Sequence, residues 1–129
     1  MKASWLYAKN PVVVDKDLAG VVGLNEAILL RRIGDQLYVS GKDIDGRRWI
    51  KRTVSEFLEK DFPFWSRSTI RRTIDNCEKK GLLLKGNLSS SKFDKTSWYS
   101  INDDKLDEMM NNAFVNGGRK KWLVTQVLY

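Results

Sequence analysis

The stretch "FPFWSRSTIRRTIDNCEKKGLL" (62–83) constrains the fold more than any other part of the chain, because it carries both ends of a helix and its buried face. Ser66 is placed to cap a helix N-terminus. Ile70, Ile74 and Cys77 recur at i, i+4 and i+7, so they share one face of that helix. Lys79 and Lys80 sit where cations favour a helix C-terminus, and Gly81 supplies the stop. The spacing predicts a helix over 66–80 with Ile70, Ile74 and Cys77 inward. Arg67 falls on its flank, and Ser68, Arg71, Arg72, Asp75 and Lys79 point outward.

The charge around this helix is unevenly placed. The 129-residue chain carries 23 Lys+Arg, 16 Asp+Glu and no His, net +7. Residues 1–46 hold six basic and six acidic groups, whereas residues 47–85 hold eleven basic and five acidic, net +6. Residues 86–102 add one positive charge, and 103–129 balance at four of each sign. A merely solubilising surface would scatter such charge. Its concentration in one segment points to a polyanion partner.

The same composition excludes several chemistries. Without histidine the commonest general base and zinc ligand are missing, and the single cysteine, Cys77, completes neither a zinc site nor an internal disulfide. Cys77 reads as a small core residue. Asp43/Asp45 and Asp103/Asp104 are the carboxylate pairs left for magnesium, but a turn and a helix start explain them better. No nucleophile motif or phosphate-cradling glycine loop is present, so no enzyme, no cofactor and no metal are expected. No run approaches the roughly 18 apolar residues of a membrane span, and "MKASWLYAKNPVVV" has no apolar core of a secretory signal. The expectation is a cytoplasmic protein with no membrane partner.

Along the chain, "PVVV" (11–14) reads as a strand, and Asp15 as the cap of a short helix ending near Val22. A helix follows over about 25–39, capped by Asn25 and closed near Gly41. Leu24, Ala27, Ile28, Leu30, Ile33 and Leu37 form its apolar face. "KDIDG" (42–46) reads as a turn and "RRWIKR" (47–52) as an extended segment. Thr53 with Glu56 three residues on is a capping-box pattern, predicting a helix over 53–60. Strands at 82–86 and 97–101 flank "NLSSSKFDKT", read as a flexible hairpin loop with Lys92 and Lys95 at its tip. Phe64, Trp65, Trp98, Tyr99 and Trp49 are assigned to core packing. "NDDKLDEMMNN" opens a last helix.

That order, helix–strand–helix–helix–strand–loop–strand, predicts an α+β, mainly α fold: a winged helix-turn-helix with a three-helix core, a small β-hairpin wing, and extra N- and C-terminal helices. The domain spans 1–108, with 109–129 as a tail or helix extension. In that geometry the helix 66–80 enters the major groove of double-stranded DNA and the hairpin loop lies against backbone or minor groove. Arg71 and Arg72 suit guanine or phosphate, and Ser66, Ser68 and Thr69 suit a phosphate oxygen. Lys92 and Lys95 would meet the DNA backbone. The candidate DNA-binding residues are therefore Ser66, Arg67, Ser68, Thr69, Arg71, Arg72, Asp75, Lys79, Lys92 and Lys95.

"GLNEAILL", "FPFWSRSTIRRTIDNCEKKGLL" and "KFDKTSWYSI" carry a further signal. Residues from about 10 to 108 resemble the N-terminal domain of replication initiators and replisome organisers from phages and plasmids of Gram-positive bacteria. The resemblance implies a winged helix that binds origin DNA, in proteins similar to helicase loaders, with a replicative helicase or another host protein as partner. Many members continue into a second, helical domain. This sequence stops at Tyr129 and reads as a truncated or stand-alone version. A transcription regulator of the same fold, and a phage protein that binds and inhibits a host protein, are the alternatives. A homodimer contact through Met109, Met110 and the apolar tail stands beside a simple packing helix as the reading of the C-terminus.

Overall fold

The computed structural model describes residues 4–7 and 9–116. A short 3₁₀ turn, Ser4–Tyr7, precedes helix α1, Lys16–Val22. Asp15 caps α1 as expected, its Oδ1 accepting the Asp17 and Leu18 amides at 2.8 and 2.9 Å. The expected strand at 11–14 does not form. β-branched residues favour strands only when a neighbouring strand offers pairing, and the four-stranded sheet does not include this segment. Val12 and Val13 are exposed, and Val14 alone packs against the core.

Helix α2, Leu24–Ser40, is the central element. Its N-cap is Gly23 rather than Asn25, and no side chain caps it. The buried residues are Ala27, Leu29, Leu30 and Ile33, while Leu24 is exposed. Leu29 lies off the sequence-derived stripe. It is buried because α2 is covered by α1 along one side and by further helix and sheet along others.

Strand β1, Lys42–Ile44, and strand β2, Arg47–Lys51, form a hairpin with Ile44 opposite Arg47. The expected five-residue turn is therefore only Asp45–Gly46. Their φ values of 50° and 80° fit a two-residue turn whose twist matches the strands. Helix α3, Val54–Glu56, starts on the predicted capping box: Glu56 N–H donates to Thr53 Oγ1 at 3.0 Å and Thr53 N–H to Glu56 Oε1 at 3.1 Å. That backbone bond to Thr53 is the main influence holding the Glu56 carboxyl below its ordinary pKa. The helix continues as a π-helical turn, Phe57–Asp61, closed by Phe62 N–H to Phe57 O at 2.7 Å.

Helix α4, Arg67–Lys79, matches its prediction at both ends. Ser66 Oγ accepts the Thr69 amide at 3.1 Å, and Gly81, at φ 75°, ends the helix. Ile70, Ile74 and Cys77 are buried as expected, joined by Thr73, whose hydroxyl is satisfied by Thr69 O at 2.7 Å. Strand β3, Leu83–Gly86, pairs antiparallel with β4, Trp98–Ile101, which also pairs with β2, giving the order β1-β2-β4-β3. Helix α5, Asp103–Asn111, is capped by Asn102 and passes into a π-helical turn, Asn112–Asn116. Leu106 and Met109 pack against the core. The tail reading falls mainly on residues 117–129, outside the described residues.

The core joins α2, the π-helical turn after α3, α4 and β4. Phe57 stacks on Phe62 at 5.8 Å and meets Tyr99 edge-on at 5.6 Å, and Trp65 lies 4.6 Å from Phe62. Trp98 and Tyr99 are buried as expected, and Trp49 is half-buried. Phe64 is not core: it is 53% exposed, with its ring edge-on to Phe62 and Trp65. The fold is thus α+β, predominantly helical, with one antiparallel sheet, and it is compatible with a winged helix.

Candidate nucleic-acid interface

The outer face of α4 carries the residues expected there. Arg67, Ser68, Arg71, Arg72, Asp75 and Lys79 are exposed, opposite the buried Ile70, Thr73, Ile74 and Cys77. At the N-terminus the hydroxyls bond among themselves: Ser66 Oγ lies 3.1 Å from Ser68 Oγ and donates to Thr69 Oγ1 at 3.0 Å. Arg72 Nη2 reaches Thr69 Oγ1 at 3.5 Å, and Arg67 Nη1 donates to Ser55 Oγ at 2.9 Å. These contacts hold two guanidinium groups against the helix start while leaving their side chains accessible.

An open groove runs from this face to the β3–β4 hairpin. It brings together Arg67, Arg71 and Asp75 of the predicted set with Lys95, and adds Lys85, Ser55 and Ser97, which sequence reasoning did not select. Nothing in the local pattern singles out Lys85: along β3 it shares a face with the buried Leu83, and it reaches the groove only through the pairing that sets it opposite Tyr99. Ser68, Arg72 and Lys79 lie on α4 outside this groove, and Lys92 lies on the loop beyond it.

Arg52 also lines the groove, but its guanidinium is held from behind. The Asp61 side chain is enclosed and accepts from Arg32 Nε at 2.7 Å, Arg52 Nε at 3.0 Å and Arg52 Nη2 at 3.1 Å. Paired and hydrogen-bonded in this way, a buried carboxylate is tolerated. Nothing in the spacing of three residues at 32, 52 and 61 signals the triad.

The hairpin loop, expected to be flexible, is tied at several points. Asp94 pairs with Lys51, accepts Ser89 Oγ–H at 3.2 Å and accepts the Thr96 amide at 3.0 Å. The Lys51 bond, foremost, holds the Asp94 carboxyl well below the usual carboxylate range. Ser89 Oγ in turn accepts Trp98 Nε1–H at 3.0 Å. Both legs of the loop are thus joined to β2 and β4, with Lys92, Phe93 and Lys95 outward.

Elsewhere the carboxylate pairs occupy structural positions. Asp43 in β1 meets Arg48, with Nη1 3.3 Å from Oδ2, Asp45 forms the hairpin turn, and Asp103 and Asp104 lie in the first turn of α5. Burial, with Glu26 adding and Lys80 opposing, pushes the Cys77 thiol up to about 12. No helix among the described residues is long and apolar enough to cross a membrane.

No family model matches the chain, and no curated protein matches it. A solved structure described as the N-terminal domain of a DNA binding protein is similar to it, with a TM-score of 0.54 at 11% identity. The match covers 88% of this chain and 93% of that one. At that identity the likeness shows a shared fold.

Proposed function

We propose that this chain is a non-enzymatic winged-helix protein that binds double-stranded DNA sequence-specifically, α4 lying in the major groove and the β3–β4 loop acting as the wing. The observation that carries the reading is the shared groove: Arg67 and Arg71 of α4 and Lys85 and Lys95 of the hairpin line one surface, with Asp75 the single acid among them. Arginine reads guanine bidentately and aspartate can accept from a cytosine amino group, so the α4 face holds both kinds of base reader. The lysines suit phosphates. That a similar fold occurs in a structure described as a DNA binding protein supports the reading. The resemblance over residues 10–108 supports origin DNA of a phage or plasmid as the site, with replication initiation as the process and a replicative helicase as further partner.

A fluorescence-anisotropy titration against duplex DNA at several salt concentrations tests it. Contact with about four to six phosphates gives a log–log salt slope near −4 to −5, from about 0.9 per phosphate. A flat salt response, or no binding at low salt, refutes DNA binding and favours the host-protein partner. Mapping the preferred site to an origin or to a promoter separates replication from transcription.

A further inference from the structure

The tip of the β3–β4 loop carries Phe93, 82% exposed although the molecule has a well-formed core elsewhere. Lys92 Nζ lies 5.6 Å from its ring centroid, but this contact leaves the ring open to solvent. The backbone around it is held: Phe93 N–H donates to Ser91 Oγ at 3.3 Å, and Asp94 N–H to Ser91 O at 3.2 Å. One residue on, Asp94 is tied to Lys51, Ser89 and Thr96. The turn therefore presents one large apolar ring outward on a fixed base, with lysines on both sides of it in sequence. Lys95, two residues away, lines the same groove as Arg71.

We propose that Phe93 is a wedge that enters the minor groove of bound duplex and opens a base step, so that the protein kinks its DNA. The proposal rests on the DNA-binding reading above and adds a mode of binding to it. Inserted apolar side chains partially unstack a step and bend the duplex toward the major groove. The chemistry fits a duplex in two ways. The flanking Lys92 and Lys95 match phosphates on either side of a narrow groove, and the ring itself finds an apolar surface only between bases. Continuity with the α4 groove through Lys95 puts the tip on the DNA beside the site that α4 occupies. Flexible pyrimidine–purine steps are the ones that open most easily.

The test uses the full chain and a short duplex with a central TA step, carrying a donor and an acceptor dye on its two ends. Wild-type protein should shorten the end-to-end distance on binding. Phe93→Ala should leave the duplex straight and lower affinity by about five- to a hundredfold, the range for losing one aromatic–base stack. The salt slope should stay unchanged, because no phosphate contact is removed. Phe93→Trp should keep both the bend and the affinity. The exposed position makes an unchanged melting curve the expected control for both variants. If wild type binds and leaves the duplex straight, or if Phe93→Ala bends it as wild type does, the wedge is refuted while DNA binding stands. If wild type binds no duplex, both readings fall together.

Discussion

Asp61 offers the sharpest test of how this domain is held together. Its carboxylate is 0% exposed and accepts three charge-assisted bonds, one from Arg32 and two from Arg52. Asp61→Asn keeps the shape and removes the charge, leaving one acceptor oxygen for two guanidinium groups. The consequences for those groups differ. The Arg32 side chain is 41% exposed and can turn to water, whereas the Arg52 side chain is 14% exposed and cannot. The loss therefore comes mainly from Arg52 and belongs near the lower end of the range for breaking a buried pair, about 3 kcal/mol. A small domain has roughly 5–15 kcal/mol in total. For a chain of this size that loss lowers the melting temperature by about 10–15 °C. Circular-dichroism melting of wild type and Asp61→Asn measures it. The double variant Asp61→Leu with Arg52→Met, which removes the charges together, should recover much of the difference. A melting temperature for Asp61→Asn within about 2 °C of wild type would refute the reasoning, since so small a change is what exposed ion pairs produce.

The two faces of α4 should separate stability from binding. Ile74→Ala, at a buried position, should cost about 2–5 kcal/mol and melt early, whereas Arg71→Ala should melt nearly as wild type and lose DNA affinity by about 1–3 kcal/mol if it reads a base. Early melting of Arg71→Ala with normal melting of Ile74→Ala would mean that the faces are inverted. Cys77 should resist a thiol reagent at pH 8 in the folded protein and react on unfolding, because its thiol is enclosed and raised to about 12. The sign of its linkage follows: the neutral thiol favours the fold up to about pH 9, where the unfolded thiol ionises, and this contribution declines as pH rises toward about 12. Rapid labelling of the native protein at pH 8 would contradict the enclosure.

What sequence alone could determine here is what is local in the chain. A cap satisfies amides two or three residues away, so Asp15, the Thr53–Glu56 box, and Ser66 with Gly81 each placed a helix end correctly. The buried stripe of α4 was equally legible, because α4 buries one face and its period is set by helix geometry. α2 is covered on several sides, and there the single-stripe rule left out Leu29 and wrongly included Leu24. The rest depended on partners far along the chain. Lys42–Ile44 is polar and short, and became a strand only because β2 lies beside it; 11–14 is strongly β-branched, and without a partner it did not. Phe64 and Trp65 are neighbours of similar character, and nothing local in the chain told which of them would lie against Phe62 and which would stay exposed. The Lys51–Asp94 pair that ties the β3–β4 loop to β2 joins residues 43 apart, so no local pattern announces it. The positive segment was visible as charge, but its shape as a groove was not. Tertiary structure set Lys85 beside Arg71, and withdrew Arg52 into a triad with Asp61, because electrostatic pairing depends on distance in space, which sequence separation does not report.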